Sequence, residues 1–222
     1  FECVYFASRE SMIEVRAVHK AWRALCAILA EKVQGEDIDV VIPVPDTART
    51  CAVKVAEELG VDYREGLVKN RYIGRTFITP SQKARDYLVN IKLNFVTSVI
   101  KDKNVAVVDD SIVRGTTSKR IVTKLREAGA KRIIFMSSCP PVKHACYYGI
   151  DMSTEDELIA SGKTIEEIRD YIGADELVYT TVEDLQKAIR RDLCVACLNN
   201  EYVVPLSKKD REFFENDKQE RC

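Results

Sequence analysis

The chain has 222 residues, and its 34 lysines and arginines nearly balance 35 aspartates and glutamates. This length suits one α/β domain with a substantial core plus an appendage, and the balanced charge gives no overall bias toward nucleic acid or membrane surfaces. No apolar stretch approaches the length of a transmembrane span, and no signal peptide opens the chain, so we expect a cytoplasmic protein with neither a membrane nor a nucleic-acid partner.

The predicted elements of the first part of the chain alternate between strands and helices. Continuous apolar runs suit strands buried on both faces of a parallel sheet, and apolar residues at helical spacing indicate helices packed on it. This order predicts an α/β fold with a mostly parallel twisted sheet flanked by helices. The predicted elements are strands at 3–7, 38–42, 105–109 and 131–137, and helices at 11–32, 47–59 and 118–127.

Further along the chain, the sequence predicts short acidic helices. Thr154 with Glu157, and Thr164 with Glu167, have capping-box spacing, and a short strand at 176–179 precedes a helix at 182–190. The final segment, 208–222, is polar, and we expect it to fray or to pack on a missing partner. We therefore expect a core at 1–152 and a short helical C-terminal region at 153–222 that packs on it.

The segment from Val105 to Ser118 joins a strand, an acidic pair and a hydroxyl-rich turn. Ligands of open α/β sheets bind outside the carboxyl ends of strands, where Asp109 and Asp110 would lie. The following helix N-terminus favours an anion, so the turn suits a phosphate, and the carboxylates suit ribose hydroxyls or a divalent cation. A plain turn with capping residues is the alternative. The candidate phosphate ligands are Ser111, Gly115, Thr116, Thr117 and Ser118.

This segment resembles the phosphoribosyl pyrophosphate (PRPP) motif of type I phosphoribosyltransferases. Its exact sequence, VVDDSIVRGTTS, is similar to that of the amidophosphoribosyltransferase family. The likeness continues in order from about Phe1 to Cys197. It implies the type I phosphoribosyltransferase fold. Further matching segments are Val41 to Thr47, Gly66 to Ile78, Tyr148 to Met152 and Glu157 to Ala160.

The resemblance implies that ammonia displaces pyrophosphate from C1 of PRPP and gives 5-phosphoribosylamine, at the entry to purine synthesis. Pyrophosphate departure leaves positive charge on the ribose, so such a site must bind the leaving group with Mg²⁺ and cations and exclude water. The implied catalytic residues are Lys69, Arg71, Tyr72, Asp109 and Asp110. The implied substrate-binding residues are Asp46, Thr47, Asn70, Arg75, Asp109, Asp110, Ser111, Arg114, Gly115, Thr116, Thr117 and Ser118, with Mg²⁺ at Thr47, Asp109 and Asp110.

The residues between Gly66 and Ile78 concentrate positive charge within one loop. Taken alone, the run KNRYIGR fits a solvated basic loop or a nucleic-acid patch as well as it fits a lid. Its place beside the PRPP-like motif favours a lid that closes over pyrophosphate and excludes water.

Eight cysteines occur in a chain that we expect to be cytosolic, where structural disulfides are rare. We therefore expect Cys26, Cys51 and Cys139 to be buried small apolar residues. The pair Cys194 and Cys197 is compatible with zinc binding, redox chemistry or no function.

Some members of the resembled family carry a [4Fe-4S] cluster, and Cys146, Cys194 and Cys197 fall on three of its ligand positions. A full cluster needs four thiolates, so the fourth ligand would lie upstream of Phe1, with Cys3 as a distant substitute. We treat His144, close to Cys146, as structural. A zinc-stabilised α/β domain is the alternative.

The absence of an initiator methionine predicts that the chain is a fragment. The resemblance implies that an N-terminal glutaminase domain, absent here, supplies ammonia from glutamine, that purine nucleotides act as feedback inhibitors, and that the protein is a homo-oligomer. Two other functions stay open: a nucleobase phosphoribosyltransferase that shares the PRPP site, and a regulatory domain that binds PRPP without turnover.

Overall fold

The computed structural model describes residues 12–13, 16–69, 93–148, 150, 154–207, 209–211 and 214. Helices and strands alternate along the described part of the chain as the sequence predicts, whereas the predicted strand at 3–7 lies outside the described residues. In chain order the described elements are β1 (Met12–Ile13), β2 (Arg16–Ala17), α1 (Val18–Glu31), β3 (Val40–Pro43), α2 (Arg49–Leu59), β4 (Asp62–Tyr63), β5 (Leu67–Lys69), β6 (Leu93–Phe95), α3 (Thr97–Ile100), β7 (Asn104–Asp109), α4 (Thr116–Glu127), β8 (Arg132–Ser137), a 3-10 helix (Glu155–Glu157), α5 (Ile165–Ile172), β9 (Glu176–Tyr179), α6 (Val182–Ile189) and α7 (Ala196–Asn199).

A parallel sheet of five strands, in the order β4-β3-β7-β8-β9, forms the centre of the described part of the chain. Two short antiparallel pairs, β1 with β2 and β5 with β6, lie outside it. The parallel sheet confirms the predicted fold class. Because the carboxyl ends of all five strands share one edge, the loops that follow β3, β7 and β8 meet there.

The central strands are buried on both faces, as their continuous apolar runs predict. Along β7, Val105 and Val107 belong to one apolar cluster, whereas Ala106 and Val108 belong to another. Helices α1, α2 and α6 contribute to the second cluster, and α4 and α5 contribute to the first. The domain is therefore a three-layer α/β/α arrangement, in which each face of the sheet has its own core.

The predicted helix at 11–32 begins too early. The described residues before Val18 form the antiparallel pair β1 and β2, and Ala17 has extended backbone without a side-chain cap. Without a capping residue, apolar spacing alone does not mark the first helical turn. Helix α1 then continues to Glu31, with Trp22 and Leu25 buried.

One of the two predicted capping boxes is confirmed and the other is wrong. Thr164 and Glu167 form a reciprocal capping box at the start of α5. Thr154 provides no side-chain cap, and the carboxylate of Glu157, which would complete the box, pairs with Arg114. A third box, Thr181 with Asp184, begins α6 and has an aspartate where the usual pattern has glutamate or glutamine.

The C-terminal region contributes to the sheet itself. Strand β9 pairs in parallel with β8, from Ile134 opposite Glu176 to Ser137 opposite Tyr179. The region after residue 152 therefore supplies an edge strand as well as helices. The division at residue 152 stays a prediction.

The buried cysteines of α1 and α2 are joined. Cys26 and Cys51 are fully buried, as predicted, but they form a disulfide that links the two helices. The expectation that both thiols are unpaired is therefore wrong, because the packing of α1 on α2 brings together two residues that are 25 positions apart. None of the helices described is both long and apolar enough to cross a membrane.

Candidate functional site

The acidic pair lies at the carboxyl edge of the sheet, where two strands end side by side. Strand β7 ends at Asp109, and β3 ends at Pro43, opposite Val108. The next residue, Val44, donates its N–H to the Val108 carbonyl at 2.8 Å. This bond brings the loop after β3 alongside the acidic pair.

Thr47 connects these two loops through its side chain. Its hydroxyl donates a hydrogen bond to the Asp110 carboxylate, and Ser111 Oγ donates to the other Asp110 oxygen at 3.1 Å. Helix α2 accordingly begins at Arg49 rather than at the predicted residue 47, since residues 44–48 form the loop. The structure thus brings together the three residues predicted to bind Mg²⁺, Thr47, Asp109 and Asp110.

The loop after β8 supports the acidic pair from the other side. Backbone N–H groups of Ser138 and Cys139 donate to the carbonyls of Asp109 and Asp110 at 3.1 and 2.9 Å. The Ser138 hydroxyl also donates to the Asp110 carbonyl at 3.2 Å. These bonds fix the backbone on which both carboxylates stand.

The Asp109 carboxyl sits in an environment that opposes its charge. Burial raises its pKa well above the ordinary value for an aspartate, and the neighbouring charge of Asp110 raises it further. The Asp110 N–H, which donates to Asp109 Oδ1 at 2.9 Å, acts in the opposite direction. A buried carboxylate of this kind favours a ligand that brings hydroxyl donors or positive charge.

The hydroxyl-rich turn leads into a helix N-terminus, as predicted. Gly115 has φ 72° and precedes the first residue of α4, Thr116. No side chain among the described residues caps this end, so its backbone N–H groups remain available to an anion. Thr116 and Thr117 are exposed, whereas Ser118 is buried at 3% exposure. The first turn therefore has the geometry of a phosphate site, with Ser118 turned toward the core.

Gly115 is required by space as well as by backbone conformation. A Cβ atom at this position would collide with Ile159 Cδ1 and would approach Tyr171 Cε1 to 3.2 Å. The Ile159 N–H also donates to the Val113 carbonyl at 2.9 Å. The segment after the 3-10 helix thus packs directly against the turn.

Arg114 is placed differently from its predicted role in substrate binding. Its guanidinium forms an ion pair with Glu157 at 2.8 Å, and both side chains are about half exposed. This pair ties the turn to the 3-10 helix. The structure therefore shows Arg114 bound to the protein itself, and its contact with substrate stays a prediction.

Two cations flank Asp46 at the loop after β3. Lys69 Nζ lies 3.4 Å from one carboxylate oxygen of Asp46, and Arg49 Nη1 lies 3.1 Å from the other. Lys69 thereby connects the end of β5 to this loop. The other predicted lid residues, Asn70, Arg71, Tyr72 and Arg75, lie outside the described residues.

The three cysteines assigned to a cluster affect one another electrostatically. Burial raises the pKa of the Cys197 thiol, and Cys146 and Cys194 raise it further. Tyr148 donates its N–H to Cys146 Sγ at 3.4 Å. Even so, the described residues contain no group of three His, Cys, Asp or Glu side chains arranged to hold a metal ion. His144 binds Glu155 at 2.9 Å through Nδ1, which gives this ring a structural partner.

The sequence interpretation missed three residues at this edge of the sheet. Arg49 supplies a second cation beside Asp46, and Ser138 supports the acidic pair. Tyr179, at the end of β9, has a buried hydroxyl. The i,i+3 spacing of Asp46 and Arg49 could have indicated the first of these; the other two depend on strand pairing that no local pattern reveals.

The fold and this site define a phosphoribosyltransferase domain. Residues 11–154 match the family described as "Phosphoribosyl transferase domain". The structure superposes on the glutamine PRPP amidotransferase of Bacillus subtilis, solved in complex with ADP and GMP, with a TM-score of 0.83. The two are 47% identical, over 93% of this chain and 47% of that one.

Curated relatives narrow the assignment. The amidophosphoribosyltransferase of Methanocaldococcus jannaschii is 52% identical over 208 residues, which are 93% of this chain and 44% of that protein. The Saccharomyces cerevisiae enzyme of the same name is 48% identical over 86% of this chain and 38% of its own length. The chain belongs to the amidophosphoribosyltransferase family. It spans less than half the length of these relatives.

Proposed function

We propose that this chain is the part of an amidophosphoribosyltransferase in which ammonia displaces pyrophosphate from C1 of PRPP. The product would be 5-phosphoribosylamine, formed in the first step of de novo purine biosynthesis. One observation carries the proposal: the buried Asp109 and Asp110 lie between the Thr47 loop and the uncapped N-terminus of α4. Family membership supports it.

Different parts of the site suit different groups of the substrate. The 5-phosphate would bind the backbone N–H groups and hydroxyls at the first turn of α4. The ribose hydroxyls would donate to Asp109 and Asp110, which are acceptors when ionised. The pyrophosphate would lie toward the Asp46 loop, where Arg49 and Lys69 supply two cations that pair with Asp46 and Glu65 in this structure. The negative ends of the substrate thus face donors and cations, and its hydroxyls face carboxylates.

We propose that Thr47, Asp109 and Asp110 hold Mg²⁺ together with the substrate. Mg²⁺ takes few protein ligands and keeps several waters, so two carboxylates and one hydroxyl form a reasonable donor set. The raised pKa of Asp109 also fits a site that receives positive charge. Bound Mg²⁺ would neutralise charge on the departing pyrophosphate.

The remaining lid residues, Asn70, Arg71, Tyr72 and Arg75, are proposed to close over the pyrophosphate and exclude water. Lys69 supports this proposal, because its contact with Asp46 already joins the base of that segment to the Thr47 loop. Closure would bring further cations toward the leaving group.

The wider protein is also part of the proposal. Ammonia would come from a glutaminase domain elsewhere in the full-length protein, and we propose a homo-oligomer inhibited by purine nucleotides. The Bacillus subtilis protein, solved with ADP and GMP, supports nucleotide binding. The free thiols of Cys139, Cys194 and Cys197 support a cytoplasmic location, whereas the Cys26–Cys51 disulfide counts against it.

We propose a [4Fe-4S] cluster in the full-length protein, with Cys146, Cys194 and Cys197 among its ligands. Cys146, Cys194 and Cys197 influence one another, but no metal-binding group of three exists in the described part of the chain. A complete cluster would need a fourth thiolate and a rearrangement of these side chains. Iron and sulfide analysis with the visible absorption spectrum tests this directly, and stoichiometric zinc without iron would contradict it.

The test of the main proposal is pyrophosphate release from PRPP by the full-length protein. We expect release with ammonia and Mg²⁺, and Asp109→Asn should abolish it, because the amide cannot supply an anionic acceptor. Asp62→Asn is the matched control, because Asp62 lies on the outer strand β4 at the amino end of the sheet and its side chain is 65% exposed. Release with purine bases or orotate but not ammonia would indicate a nucleobase transferase instead. Binding without any turnover would indicate a regulatory domain.

A further inference from the structure

Tyr179 lies close to the acidic site and has a buried hydroxyl that no described residue hydrogen-bonds. The residue is 6% exposed, and its hydroxyl makes no hydrogen bond to any described residue. Buried polar groups in native proteins are nearly always hydrogen-bonded, since leaving one unpaired destabilises the fold. An exception at this position points to a partner that is acquired in another state of the protein.

The register of the sheet places Tyr179 in line with Asp109. Asp109 on β7 lies opposite Ser137 on β8, and Ser137 lies opposite Tyr179 on β9. Residues opposite one another in a parallel sheet project to the same face, and neighbouring strands are about 4.8 Å apart. Asp109 and Tyr179 therefore stand on one face, with a single residue between them.

The residue between them is small and already has a partner. Ser137 is fully buried, and its Oγ donates to the Cys139 carbonyl at 2.8 Å. Serine has a short side chain, and Asp109 interacts electrostatically with the Tyr179 phenol across it. Burial raises the pKa of the Tyr179 phenol, and the nearby Asp109 raises it further. The phenol is thus protonated at neutral pH and can donate a hydrogen bond.

Asp109 has an acceptor available for such a donor. Its Oδ1 accepts the Asp110 N–H at 2.9 Å, and the described residues supply no hydrogen bond to Oδ2. A carboxylate that is fixed by one hydrogen bond can still turn about its Cβ–Cγ bond. A second fixed donor would set the plane in which the carboxylate meets a ligand hydroxyl.

We propose that Tyr179 is a positioning residue, whose hydroxyl donates to the Asp109 carboxylate, directly or through one water, when PRPP is bound. The bond would orient Asp109 to accept the ribose hydroxyls. This inference rests on the proposed function, because it takes PRPP as the ligand. It assigns to the C-terminal strand β9 a part in the site that the sequence motif does not contain.

The test compares Tyr179→Phe with the wild type in the full-length protein. We expect the KM for PRPP to rise about tenfold, as for loss of one hydrogen bond to a charged group, with kcat for ammonia changed by less than about twofold. The ligand-free variant should melt at the same temperature as the wild type or higher, because it no longer buries an unpaired hydroxyl.

Tyr202→Phe is the matched control. Its hydroxyl donates to the Ala145 carbonyl at 2.6 Å, so its removal should lower the melting temperature and leave the KM for PRPP unchanged. A third readout is the tyrosine difference absorbance on adding PRPP, which Tyr179→Phe should diminish.

The outcomes separate the two proposals. If the wild type binds PRPP and Tyr179→Phe has the same KM, the positioning role is wrong and the proposed function stands. If Tyr179→Phe lowers the melting temperature and kcat together, Tyr179 is only structural, and the inference is overturned. If the wild type neither binds nor consumes PRPP, both proposals fail.

Discussion

The hydroxyl of Thr47 hydrogen-bonds the carboxylate of Asp110 across 63 positions of sequence. This contact joins the loop after β3 to the loop after β7. Together with the Ser111 bond it uses two of the roughly four lone-pair sites of the Asp110 carboxylate and leaves the others for ligand. A ligand that moves the Asp110 carboxylate would therefore also move the Thr47 loop after β3.

Thr47→Ala should weaken PRPP binding without unfolding the protein. The variant loses a proposed Mg²⁺ ligand and the hydroxyl that orients the Asp110 carboxylate, so we expect PRPP binding to weaken by about 1.5–3 kcal/mol, the size of one hydrogen bond to a charged group. Thr47 is exposed, so its free energy of unfolding should change by less than about 1 kcal/mol. Isothermal calorimetry with PRPP and thermal melts measure the two effects. Thr47→Ser keeps the hydroxyl and is the control; equal affinities for the serine and alanine variants would contradict the role.

Gly115→Ala should destabilise the protein through two separate causes. Its φ of 72° is strained for alanine, and the new Cβ would collide with Ile159. We expect a loss of roughly 2–4 kcal/mol in the free energy of unfolding, from strain and overpacking together. Urea titration measures it.

Gly35→Ala separates those two causes. Gly35 has φ 92°, and no atom lies within 4 Å of the place that an alanine Cβ would take, so only backbone strain, about 1 kcal/mol, should appear. Ile159→Ala combined with Gly115→Ala should recover part of the collision cost. Equal losses for Gly35→Ala and Gly115→Ala would show that the collision is unimportant.

The Cys26–Cys51 disulfide should make stability depend on redox conditions. A cross-link between residues 25 positions apart stabilises by about 3 kcal/mol in the loop-entropy estimate. We expect the oxidised protein to melt higher than the reduced protein, and Cys51→Ala to remove that difference. Cys139→Ala, which replaces a buried free cysteine, is the control and should keep it. Non-reducing peptide mapping that finds both thiols free in oxidised protein would refute the pairing.

Asp109 should make the ligand-free protein less stable as the pH rises. Its folded-state pKa is raised above the unfolded value of roughly 3.9, so the folded state holds the proton more tightly. The resulting stability is fully present below the unfolded pKa and is lost as the pH rises through the folded pKa. Asp109→Asn should flatten this decline while abolishing activity. Thermal melts across the pH range test it, with Asp62→Asn as control, and an unchanged pH slope in Asp109→Asn would count against it.

Local pattern was sufficient for the elements that carry the site. The apolar run before Asp109 and the glycine turn before α4 are contiguous in sequence, so strand, loop and helix could be predicted together. The bounds still shifted: α4 begins at Thr116 rather than 118, because Gly115 takes the left-handed conformation that starts the helix.

Contacts between distant segments could not be predicted in the same way. The Cys26–Cys51 bond depends on how α1 packs on α2, and the Arg114–Glu157 pair depends on where the 3-10 helix lies. Neither pair has a sequence signature. Several cysteines could pair with one another, and any exposed arginine can reach several carboxylates. From the sequence alone, Tyr179 is an ordinary strand residue. Its position in line with Asp109 follows only from the register of β9 with Ser137.

The order in which the chain leaves the ribosome has a consequence for the edge strand β9. Thr47 can meet Asp110 as soon as β7 docks beside β3, well before β9 has been synthesised. Until then β8 is an open sheet edge whose apolar Ile133 and Phe135 lack their final cover. Such an edge can pair with other chains. A nascent protein that stalls before β9 would hold a formed acidic pair yet be prone to self-association, and would be a natural client for a chaperone.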